Sequence, residues 1–495
     1  MVIGHGRGGN HARCYFLMQK WSGEGWKGEN IMHAESRLKK YFGDKAFYKM
    51  VLAISLPMII QNGFTNFVSL LDNIMVGRIG TEQMSGVAIA NQLFMVFNIT
   101  IFGGVSGASI FGAQYHGLGD KEGVRNTFRF KLILSLVLTA FATLLFCMRG
   151  EMLISLYLNE DGSGGDLTRT LSYGKSYLYI MLIGLVPYAI AQSYASTLRD
   201  TGETKLPMKA GIAAVLVNLV FNYILIFGKF GAPSLGAAGA AIATVISRFV
   251  EVGIILVAVH GKKRFGDIFA GIYRSIKVPA ALVRKIAVTG TPLLANEALW
   301  SFGMATMNQC YSVRGLSVVA AVNIFSTASN LFNVVFLSLG SAIAIIVGQQ
   351  LGAGEAEKAV DTDRKMIVFS VMSCLFLGGL LALAAPLIPH IYNTEAEVRR
   401  IATGLLWISA SVMPLNAFNH ASYFTMRSGG KTFITFLFDS VFVWVVSIPI
   451  AYSLAHFTSM PILPMYACCV SADFVKAIIG FILLKRRTWV KNIVG

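Results

Sequence analysis

Residue 72 is the first in this chain that could do chemistry. Asp72 lies within residues 55–77, an apolar stretch long enough to cross a bilayer, with Pro57 near its start. A carboxylate in hydrocarbon costs at least roughly 2.5–3.5 kcal/mol, so an acid kept there marks a site for a cation or a mobile proton. Glu297 is a second such acid. Asn218 and Asn222 are four residues apart and share one helix face, and Thr244 follows in the small-residue run that begins at Gly236. A carboxylate, two amides and a hydroxyl offer the hard oxygen ligands that Na⁺ takes, or an acceptor network for a carboxyl that gains a proton. The run Gly236–Ala241 itself reads as close helix contact rather than as a ligand site.

The elements that hold these residues must be membrane helices. With 55% hydrophobic and 14% charged residues and a mean hydropathy of +0.62, the composition leaves no polar surface for a soluble protein. The net charge of +17 then reports basic cytoplasmic loops, not nucleic-acid binding. Six cysteines (Cys14, Cys147, Cys310, Cys374, Cys468, Cys469) show no metal or redox spacing and read as small buried hydrophobes. His420 and His456 lie near apolar segments, open to a packing or a pH-sensitive role. Arg248 with Glu251, and Asp473 with Lys476, are spaced to neutralise each other.

About twelve spans are expected, over 48–77, 84–112, 128–149, 173–198, 206–228, 236–259, 286–312, 318–347, 365–389, 401–426, 432–455 and 463–484. Basic residues cluster after the even-numbered spans: Lys121, Arg125, Arg129 and Lys131 after the second, Arg199 and Lys205 after the fourth, and Lys262, Lys263, Arg264, Arg274, Lys277, Arg284 and Lys285 after the sixth. The loop after the third span is acidic (Glu151, Glu160, Asp161, Asp166). Both termini are therefore expected in the cytoplasm, with the protein in the inner (cytoplasmic) membrane. Residues 1–47 form a polar cytoplasmic segment without the apolar core of a signal peptide. Its Gly4–Gly9 run fits G-x-G-x-x-G but lacks a strand before it and a helix after it. A start of translation at Met32 would make residues 1–31 an annotation artefact.

The longest connection, 260–285, falls mid-chain and separates two copies of one unit. An offset of 235 residues pairs Pro57 with Pro292, Asn73 with Asn308, Asn98 with Asn333, Gln114 with Gln349, Gly117 with Gly352 and Gly119 with Gly354. The expected organisation is an N-lobe over 48–259, a cytoplasmic linker over 260–285, a C-lobe over 286–484 and a cytoplasmic tail over 485–495. Each lobe has six helices, so the two insert in the same orientation around an axis along the membrane normal. Shared glycine turns such as Gly117–Asp120 and Gly352–Glu355 read as structure. The membrane acids are not shared: Asp72 is matched by Met307, and Glu297 by Asn62.

Leu56-Pro57 with residues 72–77, the Gln114–Gly119 turn, residues 218–228, the Gly236 run and residues 292–297 together resemble the bacterial multidrug and toxic compound extrusion (MATE) family, with both DinF-like and NorM-like features. The similarity runs from about residue 45 to 487. It implies an all-α transporter of twelve helices in two pseudosymmetric lobes, exporting cationic amphiphiles in exchange for H⁺ or Na⁺ by alternating access. Asp72 matches the family's first-helix acid, and Asn218, Asn222 and Thr244 match the rest of an N-lobe cation site. Asn222 stands where DinF-like relatives carry an acid. Pro57 matches the proline at which the first helix is proposed to bend. Glu297 resembles the seventh-helix acid of NorM-like members, whose tenth-span acid is missing here; Asp439 is a candidate to compensate.

Cargo is expected against carboxylates and against aromatic, Met or amide surfaces, with Gln61, Phe64, Asn98, Trp300, Met304 and Asn333 as candidates. No cofactor beyond the coupling ion, no nucleic acid and no catalytic residue is expected, and the protein is expected to act as a monomer. Gly429-Gly-Lys-Thr432 lacks the upstream glycine of a phosphate loop, and no nucleophile elbow or zinc-protease motif is found. The remaining alternative is a flippase for lipid-linked precursors, which would want a cationic central cavity to meet phosphate.

Overall fold

The computed structural model describes residues 40–158, 166–261, 268–392 and 394–495. Gly4–Gly9, Cys14, Met32, Glu160, Asp161, Lys262, Lys263 and Arg264 lie outside them. Two compact units are distinguished, Met1–Met50 and Val51–Gly495. The described part of the first is a turn into the opening helix, where Asp44 Oδ1 accepts from Phe47 N at 2.8 Å.

Among the described residues all regular structure is helical. The long helices are α1 (Lys45–Gly77), α2 (Thr81–Leu118), α3 (Lys121–Ser155), α4 (Leu167–Ile183), α5 (Leu185–Asp200), α6 (Lys205–Phe227) and α7 (Gly236–Gly261), followed by α8 (Ala280–Ser312), α9 (Leu316–Gly352), α10 (Ala356–Ala384), α11 (Ala396–Ser428), α12 (Thr432–Phe457) and α13 (Ile462–Lys485). Ten are long and apolar enough to cross a membrane by composition alone, and the pair α4 and α5 makes an eleventh span bent by 49°. The bend has a local cause. Gly184 interrupts the helix, and Pro187, lacking an N–H, cannot bond the Ile183 carbonyl. The twelfth place belongs to α8, 33 residues long, whose Asn296, Glu297, Asn308 and Gln309 lower its hydropathy.

The repeat shows in the packing. Near its C-terminus α2 crosses α9 so closely that a Cβ on Gly117 would sit 1.8 Å from the Gln349 carbonyl oxygen, and one on Gly352 would sit 1.9 Å from that of Gln114. The contact is reciprocal, as a pseudo-twofold axis requires. Both following turns use a left-handed glycine, Gly119 (φ 80°) and Gly354 (φ 79°). Asp120 then caps α3 by accepting from Gly123 N at 2.9 Å, whereas Glu355 makes no such cap on α10. The Gly236 run is a contact surface too, since a Cβ on Gly239 of α7 would lie 2.6 Å from Leu225 O of α6.

Some charges assigned to loops turn out to be structural. Lys131 is fully buried and its Nζ lies 2.5 Å from Asp200 Oδ2. Arg125 and Arg129 each donate through Nε to the carbonyls of Ile268 and Ile272, both at 2.9 Å. The described part of the linker is thus docked on α3 and α5, with Phe269 and Ile272 in their core. The C-terminal tail is also packed. Trp489 is buried, and Gln114 donates to Ser428 O and Lys491 O while accepting from Ile493 N at 2.8 Å.

Candidate functional site

The N-lobe polar residues converge. Asn222 Nδ2 of α6 donates to Asp72 Oδ1 of α1 at 2.7 Å. With its amide nitrogen facing the carboxylate, Asn218 donates to Asp72 Oδ1 and Oδ2 at 3.2 and 2.9 Å, and its oxygen accepts from Thr244 Oγ1 of α7 at 3.2 Å. The Asn222 Oδ1 atom is buried and has no hydrogen-bond partner among the described residues. Asp72 makes no ion pair among them either; the nearby Arg248 guanidinium is taken by Glu251 at 3.6 Å and lies 4.5 Å over the Tyr188 ring. This is a half-buried carboxylate held by neutral amides, with one amide oxygen left over. Such a set can accept a proton or a bare monovalent cation, because an orphaned acceptor is satisfied by either.

Pro57 lies within α1, fifteen residues before Asp72. Its missing N–H frees the Ala53 carbonyl, which accepts instead from Thr204 Oγ1 at 3.3 Å.

The C-lobe has a different arrangement. Asn296 Nδ2 of α8 donates to Asp439 Oδ2 at 3.2 Å and its oxygen accepts from Ser440 Oγ at 2.7 Å. The other oxygen of Asp439 lies 2.6 Å from Lys476 Nζ. This corrects the expected pairing of Asp473 with Lys476: the lysine reaches across to α12, and Asp473 makes no side-chain hydrogen bond or ion pair among the described residues. The reason lies in α12, which widens into π-helical turns over Leu437–Val441 and Val443–Ser447 ahead of Pro449. That proline excludes a regular turn onto Val445, and the wide turns carry Asp439 to Asn296 and Lys476. The expected Arg248–Glu251 pair is present. Glu297, one position and about 100° around the helix from Asn296, makes no hydrogen bond or ion pair among the described residues.

The cargo candidates divide. Trp300, Met304 and Asn333 line a cavity of about 320 Å³ enclosed by α8, α9, α11, α12 and α13. Asn98 lines a pocket of about 30 Å³ that also touches Thr244 and Arg248. Gln61 accepts from Arg199 Nη2 at 3.2 Å, and Phe64 is exposed on α1. A third cavity, of about 120 Å³, lies between the lobes and includes Arg199 and Arg427. His420 packs tilted against Phe336 (centroids 4.7 Å apart) and His456 against Tyr452 (4.3 Å). Among the described residues no three His, Cys, Asp or Glu side chains group to hold a metal ion. Sequence reasoning missed the C-lobe face of α13, although Tyr466, Cys469, Asp473 and Lys476 follow helical spacing.

Comparison with known proteins bears on the whole chain. The MatE family model matches twice, over residues 57–224 and 292–453, two segments that begin at the paired prolines of the internal repeat. A protein named probable multidrug resistance protein NorM from Thermotoga maritima is 22% identical over 451 residues, covering 90% of this chain and 94% of its own. A protein of the same name from Halalkalibacterium halodurans is 24% identical over 418 residues, covering 83% and 88%. A solved structure described as the outward-facing conformation of a multidrug resistance MATE family transporter of the MOP superfamily superposes with a TM-score of 0.81 at 22% identity, covering 91% of this chain and 98% of that one. Twelve membrane helices in two lobes are shared with such structures, and two matched copies account for most of the sequence. The chain belongs to the MATE family of multi-pass membrane transporters and is not an enzyme.

Proposed function

We propose that the protein is a secondary active exporter of cationic amphiphilic compounds, driven by exchange for H⁺ or Na⁺ through alternating access of its two lobes. The observation that carries this reading is the Asp72 carboxylate, set in an apolar span among amide donors with no ion-pair partner among the described residues. In one state of the lobes the site takes the ion; in the other it releases it, and cargo prefers the opposite state. A one-for-one exchange of monovalent cations moves no net charge, so the drive is the coupling ion's own concentration gradient, and each tenfold step in it, about 1.4 kcal/mol, supports a tenfold cargo gradient. Pro57 supplies the point at which α1 can flex between states. Asp72, Asn218, Asn222 and Thr244 hold the ion, and Glu297 is a second acid available to it. Asp439, offered as a compensating acid, already has the Lys476 ammonium as its counter-ion. The loop charges support a cytoplasmic side for both termini.

The test is uptake of a cationic dye by the purified protein in liposomes, with H⁺ and Na⁺ gradients imposed separately. Dye movement that follows one gradient names the coupling ion. Movement with neither gradient, in folded protein, removes the antiport reading.

A specific observation favours the flippase as a second reading. Arg199 and Arg427 both line the cavity between the lobes, and neither has an ion-pair partner among the described residues; Arg427 Nη2 donates to Ser106 O at 3.4 Å and its guanidinium also meets Tyr423 and Phe424, while the acid lining the cavity, Asp200, is paired with Lys131. A cationic cavity suits phosphate. Gradient-independent movement of a lipid diphosphate across the same liposomes would support that alternative.

A further inference from the structure

The cavity inside the C-lobe has features that packing alone does not require. It is of a size that takes a small molecule, about 320 Å³. Two nearly fully buried polar side chains line it with atoms left unpartnered, Asn419 Oδ1 and Ser329 Oγ. Buried polar atoms in folded proteins are almost always satisfied, so each needs a partner that a ligand can supply. The third feature is Asp473. It lies eleven residues into the 24-residue helix α13, hence about 16 Å from that end of the span. Lys476, the cation on its own helix, is committed to Asp439 at 2.6 Å.

The charges in this cavity do not balance. Asp439 and Asp473 face a single ammonium, Lys476, and the one histidine of the lining, His420, packs tilted against Phe336. One negative charge remains without a counter-ion. At the other end of the cavity Tyr466 packs edge-on against Tyr311 and Phe325, with ring centroids 5.7 and 5.4 Å apart. Seven helix residues separate Tyr466 from Asp473, about 10 Å along the axis. A carboxylate at one end and an aromatic cluster at the other select a molecule with a cationic head and an apolar body.

We propose that this cavity is a binding pocket for a singly charged, substituted ammonium ligand, with Asp473 as the residue that reads its charge. The identification of that ligand as cargo rests on the reading of the protein as a cation exporter; the pocket itself does not. Asp439 and Lys476 are then a neutral scaffold that holds α12 to α13, and the coupling site around Asp72 is a separate place.

Binding of radiolabelled 4-phenylbutyltrimethylammonium, measured by equilibrium dialysis on the full chain in lipid nanodiscs, tests this. Asp473→Asn should lower its affinity at least tenfold, whereas Asp473→Glu, which keeps the charge, should stay within about threefold of wild type. Phe325→Ala should weaken binding by a smaller factor. Gel filtration and thermal melting show that each variant is folded, and the Glu variant separates loss of charge from disturbed packing. Unchanged affinity in folded Asp473→Asn overturns the proposal. That result leaves cation export in place, whereas a wild-type protein that binds no cation overturns both readings.

Discussion

The two lobes share a backbone plan and differ in how they handle their acids. In the N-lobe, Asp72 is held by Asn218 and Asn222 and meets no cation among the described residues. In the C-lobe, Asp439 is held by Asn296 on one oxygen, and the other carries the Lys476 ammonium at 2.6 Å. An internal lysine does for Asp439 what a transported ion would do for Asp72. The difference teaches that pseudosymmetry constrains helix packing, as the reciprocal Gly117 and Gly352 contacts show, but leaves the chemistry of each lobe free to diverge. Under the proposed exchange, Asp72 is the acid open to a coupling ion and Asp439 is not, because a tethered cation cannot leave.

The largest effect should come from removing the free acid. Asp72→Asn keeps the shape of the side chain and can still hydrogen-bond its neighbours, but it neither carries a charge nor exchanges a proton. Gradient-driven dye transport in liposomes should fall at least tenfold, to the level of empty vesicles, while the protein melts within a few degrees of wild type. Transport at wild-type rate would move coupling to the C-lobe and end the contrast between the lobes.

Next in size is removal of the tethered cation. Lys476→Met leaves the Asp439 carboxylate without its counter-ion in a mostly buried site, and breaking such a pair costs about 3 kcal/mol or more. The expected result is a drop of several degrees in melting temperature in detergent. The double variant Lys476→Met with Asp439→Asn removes both charges and should recover most of the loss. Failure of the second change to rescue the first would mean that the pair is not the stabilising contact.

The fold was largely legible because its signals are long and periodic. Apolar runs, loop charges and the offset that pairs Pro57 with Pro292 require no knowledge of side-chain contacts. The N-lobe site was legible for a related reason: Asn218 and Asn222 had to share a face, and an acid in an apolar span demands polar neighbours. The C-lobe was not. Spacing paired Lys476 with Asp473 on α13, while the true partner lies 37 residues away on a helix whose π-turns no periodicity announces. Lys131 misled in the same way: it counted as a loop cation because nothing in the sequence shows that Asp200 meets it in the interior.

A smaller effect should sharpen the ion's identity. Asn222→Asp adds a second carboxylate at the position whose amide oxygen is unpartnered. A site with one more negative oxygen should bind Na⁺ more tightly, with the concentration for half-maximal transport lowered about tenfold. Should the wild type respond only to H⁺, the variant should acquire a measurable Na⁺ response. If neither change is seen, the orphaned oxygen does not face the ion.

The smallest effect is expected at Glu297, and its smallness is the point. This acid is adjacent to Asn296 in sequence yet makes no hydrogen bond or ion pair among the described residues, so it lies outside the network that fixes Asp439. If coupling belongs to the N-lobe, Glu297→Gln should change the initial rate of gradient-driven transport by less than about threefold and leave its ion dependence unaltered. A loss as deep as that of Asp72→Asn would show that two acids must discharge in turn. The tethered lysine would then shield only Asp439, and the C-lobe would keep an exchangeable acid of its own on α8.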